Sequence, residues 1–520
     1  LEAPYGVNLL SNASAVPVGV LLAPVTWAAG PVAATNVALT LCPALSAWGL
    51  WLACRRLVSW RPAAVVAALL FGYSPFVVTN VALGHVGVSL LVAPPLLLLA
   101  TRQLLFGPAE RRTRWAVGIG ALLALQYLLS SEILAIVVVV GVPCALVAAV
   151  VGHRCLPPRD LLRAVGVAGL VAAMLLAFPV WFFLASPQHL RGPLWQGASI
   201  QGNTLVALWD PGHYGSSTGT LLHFGGYEGH IGPPSSYLGP VVLALAAVAF
   251  VSAWRRRTAW LLVAGTLVAV ACSFGILLWI RPGDAQNVWL PWRVLGTWPL
   301  LDDVIPQRFS AVTDLCVALL IGVGIDAVVR RVRLRRRAGT WRTVTASCCI
   351  VASGAAVVSL WWTYQVPFVT RTVSPPAWYE TAAPRLAPGT VVLSYPFPFP
   401  LDGSSAAMVW QAVDGMRFVL AGGYVKAPAA DGRPLPDLPP PEADGVLARL
   451  TARAPGRLPV ADARTVGALR EAIAHWRVDE VVVATRGRDP ALARRLFTRA
   501  IGRPPERELG VWVWRLAPGR

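Results

Sequence analysis

Six ionisable residues lie in loops or at helix ends beside apolar runs, where a site open to one face of a membrane would be built. They are His85, Glu132, Glu228, His230, Arg308 and Asp314. A charge at the edge of a hydrocarbon layer is costly when it has no partner, so such residues are functional candidates by default. The alternative is that each one is an ordinary solvated or paired charge at a helix end.

The side-chain chemistry of two of these residues suggests specific roles. Arg308 offers a planar fork for a phosphate at headgroup depth, although the same residue could simply snorkel to the interface. Glu228 is the carboxylate of the glycine-rich run 225–232, where it could act as a general base, bind a metal or pair with an arginine such as Arg308. The glycine run lacks the surrounding pattern of a nucleotide-binding loop.

The polar interval 186–236 is the stretch around which these candidates gather. It separates two long apolar segments and holds four of the seven histidines, namely His189, His213, His223 and His230. A long loop in a compact membrane chain is either functional or disordered, and a loop rich in aromatic, Gly and ionisable residues is poorly suited to disorder. We therefore expect a functional site here.

Metal binding is an option that the sequence leaves open. Asp302 and Asp303 could bind a divalent cation together with other oxygens, but adjacent carboxylates in a loop are often just solvated. The eight cysteines form no C-x-x-C pair or Cys/His cluster with metal-ligand spacing, and we interpret them as small hydrophobic residues. We assign no set of metal ligands and no certain cofactor.

Composition places the chain among polytopic membrane proteins. Of its 520 residues, 56% are hydrophobic and 13% charged, which is too apolar for an ordinary soluble protein. The positive charge behind the net +19 is almost all arginine, since Lys426 is the single lysine, and the arginines before Tyr364 lie in the connections between apolar runs. This placement argues against nucleic-acid binding, because the charge follows the loops of a membrane protein.

Ten spans are predicted from the apolar runs, each about as long as a hydrocarbon core requires. Their limits are 31–53, 62–80, 84–101, 115–129, 133–151, 164–184, 237–254, 258–280, 309–329 and 343–364. The segment 115–151 is divided at Ser130-Ser131-Glu132, because it is too long for one helix and a glutamate is costly in lipid. Residues 1–30 are predicted to be an outer-face entry with an interfacial piece.

The arginine distribution predicts the orientation in the membrane. One set of connections holds 20 arginines and the alternate set holds 4, so the first set is predicted to be cytoplasmic. Loops 186–236 and 281–308 and the region after Tyr364 then lie on the outer face. Leu1 also starts on that face with no span before it and no signal-peptide pattern, so we expect that the chain begins part-way through a larger protein.

After Tyr364 the apolar runs shrink to strand length. Strands are predicted at 391–395, 481–483 and 511–514, and helices at 462–475 and 490–500. This alternation predicts a small extracytoplasmic α/β domain over 365–520, following a transmembrane domain over 31–364.

The order of these features resembles the GT-C class of membrane glycosyltransferases, in particular actinobacterial members with a soluble C-terminal domain. The membrane part carries the resemblance in Ala3-Pro4-Tyr5-Gly6-Val7-Asn8, Ser74-Pro75-Phe76 with Gly84-His85, Ser130-Ser131-Glu132, Tyr237-Leu238-Gly239 and Pro306-Gln307-Arg308-Phe309. The C-terminal part carries it in Leu393-Ser394-Tyr395-Pro396, Trp410-Gln411 and Gly422-Gly423-Tyr424.

The resemblance implies transfer of a sugar from a polyprenyl-phosphate donor to a cell-envelope glycan or lipid acceptor, by an inverting displacement on the outer face. Arg308 would bind the donor phosphate and Glu228 would be the catalytic carboxylate. His85, Glu132, His230 and Asp314 would line the site, and Gln411 and Tyr424 would contact the acceptor.

This sequence departs from the family in one respect. In the GT-C class the catalytic carboxylate usually lies just after the first span, and here Glu2 is the one acid in that region. The alternative functions are therefore a transporter or flippase of lipid-linked sugars, or a non-catalytic protein that binds them.

Overall fold

The computed structural model describes residues 1, 3, 6–12, 14–152, 157–194, 201–210, 235–281, 284–335, 339–361, 370, 372–398, 405–428, 431–434, 442–451, 458–485, 487 and 489–516. The chain is mostly helical, with a small sheet region near its end.

The α-helices, in chain order, are α1 Val16–Leu21, α2 Ala23–Cys54, α3 Arg61–Gly72, α4 Pro75–Ala82, α5 Val86–Ser89, α6 Ala93–Phe106, α7 Arg112–Leu129, α8 Ser131–Val151, α9 Pro158–Ala185, α10 Gly239–Ala253, α11 Arg257–Ser273, α12 Trp292–Leu295, α13 Ser310–Arg335, α14 Gly339–Trp361, α15 Ala377–Thr381, α16 Ala406–Val413, α17 Glu442–Thr451, α18 Ala463–His475 and α19 Pro490–Ile501. The β-strands are β1 Leu278–Arg281, β2 Asp284–Gln286, β3 Val391–Tyr395, β4 Val419–Leu420, β5 Glu480–Ala484, β6 Glu506–Glu508 and β7 Val511–Arg515.

Apolar helices occupy the positions of the predicted spans. Among the described residues, five helices are long and apolar enough to cross a membrane, or six if the bent pair α3 and α4 counts as one span. Helices α10 and α11 are shorter, and α11 ends at Ser273 because Leu278–Arg281 forms a strand paired with β2 instead of continuing the predicted span to residue 280. The count of ten spans remains a prediction, whereas the division between α7 and α8 is confirmed.

Helix α13 lies at the centre of the helical part. Its apolar stretch is almost entirely buried, and it packs against α3, α10, α11 and α14. By contrast, α9 is nearly all exposed and packs mainly on α7. An all-round apolar helix surrounded by others is a core element, so α13 is the element against which the others are positioned.

The C-terminal part builds a five-stranded sheet in the order β4-β3-β5-β7-β6. Strand β3 is parallel to β4 and β5, while β7 is antiparallel to β5 and β6. Because side chains alternate along a strand, one face of the sheet packs on α17, α18 and α19 and the other packs on α15 and α16. The predicted α/β alternation is confirmed, including the strands at 391–395, 481–483 and 511–514.

Three hydrogen bonds join the C-terminal part to the chain's beginning and to the loop after α9. The Lys426 N–H donates to Asn12 Oδ1 at 2.7 Å, and Asn12 Nδ2 donates to the Lys426 carbonyl at 3.3 Å. The Arg191 N–H donates to the Gly432 carbonyl at 2.8 Å. These contacts hold the segment that follows β4 against the helical part.

Candidate functional site

An ion pair between Glu132 and Arg308 forms the centre of the candidate site. One oxygen of Glu132 accepts from Arg308 Nη1, and the other accepts the backbone N–H of Ile305 at 2.6 Å. The two side chains are only 15% and 20% exposed, so solvent screens the pair less than it would a surface pair. Glu132 therefore fixes both the guanidinium and the backbone just before it.

The local sequence explains the position of Glu132. Ser130 is extended and its hydroxyl accepts the Ile133 N–H at 3.2 Å, which caps α8. Glu132 then falls in the first turn of α8, where the helix dipole favours a negative charge. The same Ser-Ser-Glu run that ends α7 thus presents a carboxylate at the start of α8.

Arg308 lies in the 3-10 helix Pro306–Phe309 that leads into α13. Neighbouring loops hold this turn: the Gln307 N–H donates to the Gln201 carbonyl at 3.1 Å, and Asn203 Nδ2 donates to Ser310 Oγ at 3.0 Å. The ring of Phe309 packs edge-on against that of Trp292, with centroids 5.2 Å apart. The described residues of both predicted outer loops therefore support Arg308.

His85 lies at the same end of the helices, in the turn between α4 and α5. Its Nδ1 is 3.2 Å from Asn80 Oδ1, and the positive charge of Arg308 acts on its ring. Tyr424, from the segment after β4, also interacts electrostatically with Arg308 and is 49% exposed. Glu132 and Arg308 are thus in direct contact, and His85 and Tyr424 lie within electrostatic range of Arg308.

Two other predicted site residues, Asp314 and Gln411, are buried. Asp314 is 3% exposed and lies beside the Ser74 hydroxyl and the Phe76 N–H at the start of α4, although among the described residues it makes no hydrogen bond of normal geometry. Gln411 is 2% exposed, and its amide donates to the Phe418 carbonyl at 2.8 Å. This burial leaves Gln411 no open surface for an acceptor.

Glu228 and His230 lie outside the described residues, so their roles remain predictions. Among the residues that the structure does describe, no group of three His, Cys, Asp or Glu side chains could hold a metal ion. The proposed cation at Asp302 and Asp303 therefore has no third ligand of these types in the described part of the chain.

Sequence reasoning missed a second buried aspartate, Asp326, at the opposite end of α13. One of its oxygens accepts the N–H groups of Ser59 and Trp60 at 2.8 and 2.9 Å, just before α3 begins. The other accepts both Nη atoms of Arg256 at 3.1 Å. A charged residue inside an apolar run was the signal that could have revealed it.

The comparisons with known proteins concern the fold. No protein-family model matches the chain, and no curated protein matches it in sequence. Among solved structures, the arabinofuranosyltransferase AftD from Mycobacteria is similar with a TM-score of 0.52 and 15% identity, over 96% of this chain and 36% of that chain. At 15% identity this similarity concerns the fold alone, and it agrees with the fold that the sequence resemblance implied.

Two structures of an oligosaccharyltransferase from Archaeoglobus fulgidus match less closely. One carries a tethered acceptor peptide and gives a TM-score of 0.41 at 13% identity, over 96% of this chain and 63% of that chain. The other, AglB with an inhibitory peptide and a dolichol-phosphate, gives 0.42 at 15% identity, over 92% of this chain and 62% of that chain. The chain thus spans about a third of AftD and less than two thirds of either oligosaccharyltransferase.

Proposed function

We propose that this chain is a membrane glycosyltransferase that moves a sugar from a polyprenyl-phosphate donor to a cell-envelope glycan or lipid acceptor on the outer face. The observation that supports it most directly is Arg308, held by Glu132 beside His85 and Tyr424. The fold shared with AftD, an arabinofuranosyltransferase, supports the same class of reaction.

Arg308 would bind the donor phosphate. A guanidinium carries five N–H donors in a fixed plane, and in the described part of the chain Glu132 engages Nη1. In an inverting displacement the acceptor oxygen bonds to the anomeric carbon while the bond from that carbon to the phosphate oxygen breaks. The leaving phosphate gains negative charge, and donors already oriented toward it stabilise that charge most effectively.

The remaining assignments extend this proposal. Glu132 would position Arg308, and the exposed ring of Tyr424 would contact the acceptor. We keep the division into an entry at 1–30, a transmembrane domain at 31–364 and an extracytoplasmic domain at 365–520 as part of the proposal. Roles for Glu228 and His230 remain predictions, as does any need for a divalent cation.

The test is sugar transfer by the full chain in liposomes, with farnesyl-phosphate-linked pentoses and hexoses as donors and alkyl glycosides as acceptors. A charge-assisted hydrogen bond contributes roughly 1.5–3 kcal/mol, so Arg308→Ala should lower kcat/KM for the donor about 10- to 150-fold. Arg308→Lys should recover only part of this, because an ammonium lacks the planar fork.

The matched control is Arg191→Ala, which removes an exposed arginine of the loop after α9 whose Nε lies 3.3 Å from His189 Nε2. This variant should transfer sugar at the unaltered rate. An equal loss in both variants, or an unchanged rate in Arg308→Ala, would refute the role of Arg308. Movement of the lipid-linked donor across the bilayer with no sugar transferred would support the transporter alternative instead.

A further inference from the structure

We propose that His85 is the group that takes the proton from the acceptor hydroxyl. The inference rests on the proposed transferase function and departs from the carboxylate base that the family resemblance implied. It is carried by the geometry of the turn between α4 and α5, which fixes both the place of the imidazole and the nitrogen that carries its proton.

A tight turn holds the backbone of His85. Gly84 has a φ of +78°, a conformation that side chains disfavour, so glycine allows the chain to reverse here. The His85 N–H then donates to the Asn80 carbonyl at 2.9 Å, and the Ser89 hydroxyl donates to the His85 carbonyl at 2.7 Å. The residue is thus anchored on both sides of its peptide unit.

Asn80 sets the tautomer of the ring. Its side chain is buried, and its amide nitrogen donates to the Phe76 carbonyl at 2.8 Å, which turns the amide oxygen toward His85. That oxygen can only accept, so His85 Nδ1 must be the protonated nitrogen across the 3.2 Å contact. The lone pair of the neutral ring is then on Nε2, as in other sites where a second residue orients a histidine base.

His85 Nε2 has no hydrogen-bond partner within the part of the chain that the structure describes, and the residue is exposed. Glu132 is a poorer candidate because Arg308 and Ile305 already engage both of its oxygens. Asp314 is buried below the surface. Of the described acid–base groups beside Arg308, His85 is therefore the one that can both meet a hydroxyl and accept its proton.

The charges around His85 favour the neutral ring. Local desolvation lowers the pKa of His85, and the Arg308 guanidinium lowers it further. Helices α2, α4 and α5, which pack together around this turn, carry no charged residue. Helix α13 also packs on α4 and contributes the buried Asp314, while Arg308 is the charge that acts on the ring among the described residues. A donor phosphate bound to Arg308 would offset its positive charge and make His85 more basic when the donor is in place.

In the proposed step, the proton of the acceptor hydroxyl passes to His85 Nε2. The acceptor oxygen uses its electron pair to bond to the anomeric carbon, and the carbon–oxygen bond to the donor phosphate breaks. The leaving polyprenyl phosphate keeps the electron pair of the broken bond, and the Arg308 guanidinium stabilises the negative charge that the phosphate gains. His85 then returns its proton to water, so no further reactant is needed.

The experiment is the pH dependence of sugar transfer by the full chain in liposomes, with farnesyl-phosphate-linked arabinofuranose as the varied donor and an alkyl arabinofuranoside as the acceptor. His85 must be neutral to act, so the rate should fall as pH falls through its pKa. The acid limb of the kcat/KM profile reports the free enzyme, and its apparent pKa should lie below the usual histidine value of about 6.5. The acid limb of the kcat profile reports the enzyme with donor bound, and it should lie at higher pH because the donor phosphate offsets the positive charge of Arg308.

His85→Asn should lower kcat about 10²- to 10⁴-fold and abolish both acid limbs, and added imidazole should restore part of the rate to His85→Ala. His475→Asn, at an exposed histidine at the end of α18, is the matched control and should keep the rate and both acid limbs. A reduced rate with intact limbs and no rescue would assign His85 a structural role and overturn the inference. Normal transfer by His85→Asn would also overturn it while leaving the transferase function standing, whereas no transfer by the unaltered protein would overturn both.

Discussion

Replacing Glu132 with alanine removes the one side chain that holds both Arg308 and the backbone N–H of Ile305. Breaking a buried ion pair from one side costs roughly 3–5 kcal/mol. The two side chains retain 15% and 20% exposure, which lowers the cost through screening, so we expect a loss of about 3 kcal/mol in the free energy of unfolding. Glu132→Gln keeps one oxygen for Ile305 but loses the charge that pairs with Arg308, so it should still lose about 2 kcal/mol.

A double-mutant cycle isolates the pair. Unfolding of Glu132→Ala, Arg308→Ala and the double variant would be followed in detergent micelles by titration with sodium dodecyl sulfate. The sum of the two single-variant losses should exceed the loss in the double variant by about 2 kcal/mol, within the range measured for contacting residues. Asp160→Ala breaks the more exposed pair with Arg112, whose side chains are 26% and 45% exposed, and should cost less than about 1 kcal/mol.

Two results would refute this reasoning. One is a Glu132→Ala variant no less stable than Asp160→Ala, which would mean that the pair contributes no more than a surface ion pair. The other is a cycle that adds within about 0.5 kcal/mol, which would mean that the two residues act independently.

Two further predictions follow from residues outside this pair. Asp326→Ala should lower the free energy of unfolding by at least about 3 kcal/mol, because it leaves Arg256 and two backbone N–H groups without their acceptor. The same dodecyl sulfate titration measures this loss, and a stability equal to that of Asp160→Ala would contradict the prediction. Tyr424→Ala should raise KM for the acceptor several-fold while KM for the donor stays constant. The control is Val460→Ala, which changes an exposed residue of the C-terminal part, and a change in donor KM alone would argue against contact between Tyr424 and the acceptor.

Much of the fold could be predicted because periodicity and run length report local structure. The helices at 462–475 and 490–500 and the break after Leu129 follow from patterns within a few residues. The end of α11 could not be predicted in this way, because Leu278–Arg281 is as apolar as a helix end but pairs with β2. Pairing between segments, rather than composition, decides that outcome.

The candidate site was predictable as a set of residues but not as a set of contacts. Span parity placed Glu132 and Arg308 at the same face, yet 176 positions separate them and an arginine there had several acidic partners to choose from. The burial of Gln411 could not be predicted for a different reason, because a short motif does not show that its polar side chain bonds within the core. Neither burial nor pairing over such distances is encoded in a local pattern.

Asp326 on α13 has a consequence for how the chain is made. Helix α3 is synthesised early, but the carboxylate that accepts the N–H groups of Ser59 and Trp60 lies 267 and 266 residues later in the chain. Until α13 has been synthesised, the N–H groups at the start of α3 and the guanidinium of Arg256 lack Asp326, the carboxylate that binds them. The order of insertion and the order of packing therefore differ, and the early helices complete their assembly only after the central one has arrived.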